Sequence, residues 1–222
     1  MTDAALLNPQ LTAVYNELHT YGPQDISKPI LKATSDIKAT FDPKQAIRPG
    51  QSLPSFSLRN ATNKLITSDS LLARGPILII FYRGAWCPFC NLFVRAYQSH
   101  LPQFKAHGVQ LVAITAEVPD KALVTAQKNE LQFPVLSDTG LTLARKLGIV
   151  WKQPESMQVV WDYLKVDWEE SYGQKEQELP IPSTILVGRD GVVREMFVEA
   201  NYHQRMEPGE ALGWLEKHKG NL

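Results

Sequence analysis

Cysteine is scarce in this chain: among 222 residues there are two, Cys87 and Cys90, and they sit in one Cys-x-x-Cys unit. Two sulfurs three residues apart are too few for an extracellular disulfide scaffold, and they suit a reducing compartment with a working thiol pair. Net charge is also missing, with 23 Lys and Arg against 23 Asp and Glu. No long-range field therefore favours nucleic acid or an anionic membrane. No apolar run approaches the roughly 18 residues of a membrane span. The opening Met1-Thr2-Asp3-Ala4 lacks a basic start and an apolar stretch, so no secretory signal is expected and the cytoplasm is the expected location. Internal repeats and low-complexity segments are absent too.

What is present centres on Phe81-Tyr82-Arg83-Gly84-Ala85-Trp86-Cys87-Pro88-Phe89-Cys90-Asn91. The preceding Ile77-Leu78-Ile79-Ile80 is short and branched enough for a buried strand. Beyond it, Phe89, Phe93, Tyr97 and Leu101 recur every four residues, at helical spacing. The cysteines thus fall where a strand hands over to a helix. There the helix dipole and unpaired amides favour an anion, so a thiol is expected to lose its proton more readily. Residues three apart on a helix are also close enough for their sulfurs to bridge. The stretch reads as a redox site.

Upstream, Asn8-Pro9 looks like a helix cap with proline behind it, and a second helix is expected from about Ile26 to Phe41. Residues 1–45 are read as a helical extension that packs on the domain or on a second subunit, and 46–222 as the main domain. Leu58 and Ile66 belong to a predicted hairpin, and Ser68 to Leu72 to a short capped helix. Pro102 is expected to interrupt the helix that follows the cysteines. Strands and helices then alternate through Gly148, which implies a parallel α/β core. Residues 151–180 break that rhythm: Met157, Trp161, Leu164 and Trp168 form the stripe of an amphipathic helix, read as core or interface packing. Gly188-Arg189-Asp190-Gly191 between apolar runs signals a hairpin, so the sheet ends antiparallel. A last helix starts at Pro208.

These residues resemble a known family. Trp86-Cys87-Pro88-Phe89-Cys90 is similar to the active-site segment of thioredoxin-fold proteins, with Pro-Phe between the cysteines closest to the glutaredoxin type. Arg48-Pro49-Gly50-Gln51 through Leu58, and Phe133 to Asp138 with Ala144 to Gly148, resemble the peroxiredoxins of the alkyl hydroperoxide reductase/thiol-specific antioxidant family. The phrase Phe81-Tyr82-Arg83-Gly84-x-Trp86-Cys87-Pro88-x-Cys90 and the segment Tyr202 to Pro208 resemble a peroxiredoxin-like subgroup of it. The resemblance covers about residues 46 to 218. It implies a thioredoxin-like α/β fold, a central mixed β-sheet flanked by helices. It also implies Cys87 as nucleophile, Cys90 as resolving partner, a cis proline at Ile181-Pro182 facing the disulfide, and a homodimer.

The chain departs from the family in places. Peroxiredoxins keep Thr or Ser three residues before the peroxidatic cysteine and Pro seven before it; here stand Gly84 and Ile80. Thioredoxins keep a buried Asp six before the first cysteine; here stands Phe81. The leading expectation is a thiol-dependent antioxidant enzyme in which the Cys87 thiolate attacks a hydroperoxide, Cys90 closes a disulfide, and an external thiol reductant of the thioredoxin or glutathione type resets the pair. Arg83, and secondarily Arg205, are the candidates to stabilise the departing oxygen. Trp86 is expected to cover the sulfurs, and Pro182 to contact substrate. Tyr202 and His203 read first as loop-shaping, and Thr184 as sheet packing. The same pair also suits thiol-disulfide exchange on protein or glutathione disulfides, and a binding protein with vestigial thiols is a further alternative. No cofactor is expected, nor a metal, because four-coordinate zinc wants more sulfur or nitrogen ligands than one Cys-x-x-Cys brings.

Overall fold

The computed structural model describes residues 6–222. An N-terminal pair of helices, α1 (Leu7–Tyr21) and α2 (Gln24–Thr40), precedes the sheet. There follow β1 (Ser57–Asn60), β2 (Leu65–Thr67), α3 (Ser68–Leu72), β3 (Ile77–Phe81), α4 (Pro88–Ser99), α5 (Leu101–Ala106), β4 (Gln110–Thr115), α6 (Pro119–Lys128), β5 (Val135–Ser137) and α7 (Thr142–Lys146). Then come β6 (Val150–Lys152), α8 (Gln158–Leu164), α9 (Trp168–Tyr172), β7 (Glu178–Pro180), β8 (Ser183–Val187), β9 (Val193–Val198) and α10 (Pro208–Lys217).

Seven strands form one mixed sheet in the order β2-β1-β5-β4-β3-β8-β9. Strands β3, β4 and β5 run parallel, as the alternation of strands and helices predicts, while β8 lies antiparallel to β3 and β9 to β8. Every residue of β3 is buried, which fits its continuous apolar sequence. Successive side chains of a strand point to opposite faces. Ile77, Ile79 and Phe81 accordingly enter one apolar layer, and Leu78, Ile80 and Tyr82 the other. The two N-terminal helices divide between these layers: Leu7 and Leu11 of α1 join the layer of α4, and Ile26, Ala33 and Ile37 of α2 join that of α8.

Several predicted features are found in place. The β1–β2 hairpin pairs Leu58 with Ile66, Thr67 and Ser70 form a capping box on α3, and the helix after the cysteines breaks at His100, ahead of Pro102. Others differ. Helix α1 begins at Leu7, so Asn8 lies within it and is no cap. The Glu207 carboxylate takes the amides of Leu7 and Asn8 at 2.9 and 2.6 Å. An acid at a helix start satisfies free amides and the dipole together. The 151–180 stripe is two helices rather than one, broken where Lys165 adopts a left-handed φ of 54°. Met157, Trp161 and Trp168 of the stripe are buried all the same, and the β6–β7 ribbon closes the segment off. There is no cis peptide among the described residues, so the Ile181–Pro182 bond is trans, contrary to the resemblance. The chain runs from β7 into β8 without the tight turn that usually accompanies a cis proline, and the Ile181 amide bonds to the Ile149 carbonyl at 2.7 Å.

Candidate functional site

The central strand β3 ends at Phe81, and Tyr82 to Trp86 turn the chain into α4. Cys87 is the residue that caps α4, Pro88 takes the first helical position, and Cys90 follows one turn in. Asn91 secures the turn: its buried amide donates to the carbonyls of Ala85 and Cys87, both at 2.9 Å, while its oxygen accepts from Asn129 at 2.8 Å. Both cysteines are reduced and buried.

Two guanidiniums flank the sulfurs. Arg83 donates from Nη2 to Cys87 Sγ at 3.2 Å, and its backbone amide lies 3.5 Å from Cys90 Sγ. Its charge is sandwiched between the rings of Trp86 and Tyr202, at 5.3 and 4.9 Å. Arg205, also buried, arrives from the segment before α10 and lies against Phe93. Among the described residues neither arginine meets a carboxylate, and Nε and Nη2 of Arg205 lack hydrogen-bond partners. A buried cation needs a counter-charge, and the groups able to supply one are the thiols.

The two sulfurs carry that charge between them. Burial pushes the Cys87 thiol well above its ordinary value, and its hydrogen bond to Cys90 adds to this against the pull of Arg83. Burial acts on Cys90 too, but the hydrogen bond from Cys87 and the charges of Arg83 and Arg205 overcome it and hold Cys90 well below the usual thiol range. Two adjacent buried sulfurs share one proton, and the two arginines stabilise the single negative charge the pair carries. For Arg83, burial lowers the guanidinium but the sulfurs outweigh it and raise it.

Over the pair opens a cavity of about 150 Å³. Arg83, Trp86 and Cys87 line its floor, Ile26, Ile30 and Ala33 of α2 one wall, and Val160, Trp161 and Leu164 of α8 another. Pro182 and Tyr202 complete the rim. The lining is mostly apolar, with Arg83, Cys87, Thr34 and Gln153 among its polar members. Trp86 is held by its indole N–H, which donates to Tyr172 Oη at 2.7 Å, and by edge contact with Trp161 at 5.1 Å.

On the other side of the turn lies a group that the sequence reading missed. Glu117, just past β4, is buried; its Oε1 accepts from the Ala85 amide at 3.0 Å and its Oε2 has no partner. The available signal was an acid directly after a buried parallel strand, since the carboxyl ends of such strands line sites. Glu117, Trp86 and Tyr172 also explain Gly84. A Cβ there would lie 2.6 Å from Trp86 Nε1 and 2.8 Å from both Glu117 Oε1 and Tyr172 Oη. The hydroxyl residue of the family pattern has no room at this position. No group of three or more His, Cys, Asp or Glu is arranged to hold a metal among the described residues. Thr184 lies in β8 opposite Ile80, buried in the sheet.

The AhpC/TSA family profile matches residues 49–196. A chloroplastic peroxiredoxin Q of Populus jackii is 27% identical over 119 residues, 54% of each chain, so the match spans about half the length of that relative. Peroxiredoxin Bcp of Escherichia coli strain K12 is 22% identical over 175 residues, 78% of this chain and 97% of its own. Among solved structures, peroxidoxin BcpB from Mycobacterium tuberculosis superposes with a TM-score of 0.60 at 19% identity, covering 77% of this chain and 97% of that one. At that identity the likeness is one of fold.

Proposed function

The chain belongs to the AhpC/TSA family, and from that premise we propose that it is a thiol-dependent peroxidase reducing organic hydroperoxides, with Cys87 as the attacking sulfur and Cys90 as its resolving partner. The observation that carries the reading is Cys87 itself: it lies on the floor of an apolar cavity, hydrogen-bonded to Arg83 and paired with Cys90. Relatives named as peroxiredoxins supply the reaction class.

The chemistry follows from the geometry. As the shared proton moves to Cys90, the Cys87 thiolate attacks the terminal peroxide oxygen, and Cys90 hands that proton on to the departing alkoxide. The O–O bond breaks, the alcohol leaves past Arg83, and Cys87 becomes a sulfenic acid. Cys90, again an anion, attacks that sulfur; the S–S bond forms and hydroxide departs, to be protonated by solvent. Arg83 stabilises both departing oxygens, the part that a hydroxyl at position 84 cannot take. Arg205 is the second fixed charge on the sulfurs, and Trp86 and Pro182 border the substrate. Apolar cavities of about 150 Å³ take up benzene-sized ligands, so a hydroperoxide carrying an aryl or branched alkyl group fits better than hydrogen peroxide.

An external thiol of the thioredoxin or glutathione type returns the disulfide to the dithiol. Two lone cysteines and the lack, among the described residues, of any helix able to cross a membrane fit a reducing, cytoplasmic setting. Residues 46–222 are taken as the catalytic domain and 1–45 as an extension that builds the cavity wall; a homodimer is proposed by likeness to the family alone. The test is peroxide consumption with dithiothreitol as reductant. Wild type turns over, Cys87→Ser does not, and Cys90→Ser, given peroxide with no reductant present, consumes one equivalent and keeps a sulfenic acid that dimedone traps. Full turnover by Cys87→Ser would overturn the assignment.

A further inference from the structure

The peroxidase scheme uses the sulfurs and the arginines and leaves Glu117 without a task. Its place is specific. The carboxyl bonds to the Ala85 amide, two residues before Cys87, on the same turn whose Arg83 amide faces Cys90. One oxygen is buried with nothing to bond. An ionised carboxylate in such a position is costly. Burial, with the nearby Cys90 charge, pushes its carboxyl up to about 8.

We propose that Glu117 is a titratable positioning residue for Cys90: as a neutral acid it fastens the 83–86 turn and leaves the local negative charge to the resolving sulfur, and as a carboxylate it competes for that charge. The inference rests on the redox role of the Cys87–Cys90 pair and concerns the half of the cycle in which the disulfide is reduced. An attacking thiolate bonds to Cys87 Sγ, the S–S bond breaks, and its electron pair goes to Cys90, which must emerge as an anion beside Glu117. A second reductant thiolate then displaces Cys87, which takes a proton from solvent. With Glu117 neutral the emerging anion meets Arg83 and Arg205 unopposed; with Glu117 ionised, two anions share one buried pocket.

The groups facing the carboxyl from each element around it are Tyr82 at the end of β3, Cys90 on α4, Tyr172 on α9 and Lys121 on α6. Both tyrosines are themselves pushed well up, first by burial and then by Glu117, and so stay neutral across this range. Lys121 is engaged by Glu170 at 2.7 Å and remains a cation. Within the cluster, then, Glu117 is the group whose charge changes near pH 8.

The test is stopped-flow reduction of the preformed disulfide by excess dithiothreitol, read by Trp fluorescence, with rates divided by the reductant's thiolate fraction. Wild type is expected to slow about tenfold as pH rises through the titration of Glu117, which burial lifts and which in the disulfide, without the Cys90 charge, lies below its value of about 8 in the reduced pair. Glu117→Gln reproduces the neutral acid, keeps an acceptor for Ala85, and is expected to hold the low-pH rate throughout. Glu117→Ala, which also removes the Ala85 bond, is expected to be slow at every pH. A Glu117→Gln profile that retains the wild-type inflection overturns the proposal, as does loss of rate in Glu117→Gln at low pH. If the variants fail to fold, infrared difference spectra of wild type replace them. Reduction at about pH 8 is expected to add a protonated-carboxyl band, and its absence overturns the proposal. Failure to form any Cys87–Cys90 disulfide would instead count against the redox reading itself.

Discussion

Gly84 shows how tightly the individual residues of this site depend on one another. With Trp86, Glu117 and Tyr172 all within 3 Å of the point where a Cβ would stand, Gly84→Thr restores the family's hydroxyl only by displacing them. The expected result is a loss of about 1–3 kcal/mol in urea unfolding, with slower peroxide oxidation rather than faster. Arg83 is the complementary case: Arg83→Met removes the donor to Cys87, and oxidation by peroxide should slow about 100-fold, read by stopped flow. At this scale the sequence disclosed Cys87, Cys90 and Arg83, because neighbours in the chain are neighbours on one turn. It did not disclose Glu117 or Tyr172, which reach that turn from 32 and 86 or more residues away. It also placed the easily ionised thiol by helix position alone, whereas burial, Arg83 and Arg205 act on both sulfurs.

The N-terminal helical pair is the element that completes the site. Helix α2 walls the cavity, so Ala33→Trp should fill it and slow reduction of cumene hydroperoxide while leaving that of hydrogen peroxide nearly unchanged, as competition assays on both substrates would report. Helix α1 is fastened by Glu207 and by Asn8, which exchanges hydrogen bonds with the backbone of Arg205 at 2.8 and 3.0 Å. Two histidines lie at the same seam. His19 contacts Ser27 and Tyr202 at 2.6 and 3.2 Å, and His203 packs on Tyr15 at 4.0 Å. Burial lowers both, and for His203, with Arg205, Lys38 and His19 adding to burial against Glu199, to about 4. Folded values below the unfolded one mean that this stabilisation is present above about pH 6.5 and lost as pH falls toward 4. Hydrogen exchange across α1 should therefore speed up on acidification before the sheet opens. The helices were legible from their apolar spacing, but not the distant caps: Glu207 lies some 200 residues from the amides it binds. Likewise the stripe from Met157 to Trp168 identified buried faces correctly, yet a repeat of four and three does not register the left-handed turn at Lys165.

For the whole molecule, local signals decided most of the layout. A continuous apolar run in β3, the Asp-Gly turn before β9 and proline at the starts of α4, α6 and α10 each act within a few residues, and the sheet follows from them. The cavity does not, because it is made where α2, α8 and the 83–87 turn meet, and no short stretch encodes that meeting. The one feature of the resemblance that fails, a cis bond at Pro182, depends likewise on how the chain passes from β7 to β8.

The most direct measurement is stopped-flow oxidation of fully reduced protein by cumene hydroperoxide, followed by Trp fluorescence because Trp86 adjoins Cys87. The account predicts oxidation at least about 100-fold faster than that of a free thiol, abolished in Cys87→Ser and faster than with hydrogen peroxide. Oxidation no faster than a free thiol, with rapid exchange on glutathione or protein disulfides by the same protein, would contradict it and make the chain a thiol-disulfide oxidoreductase.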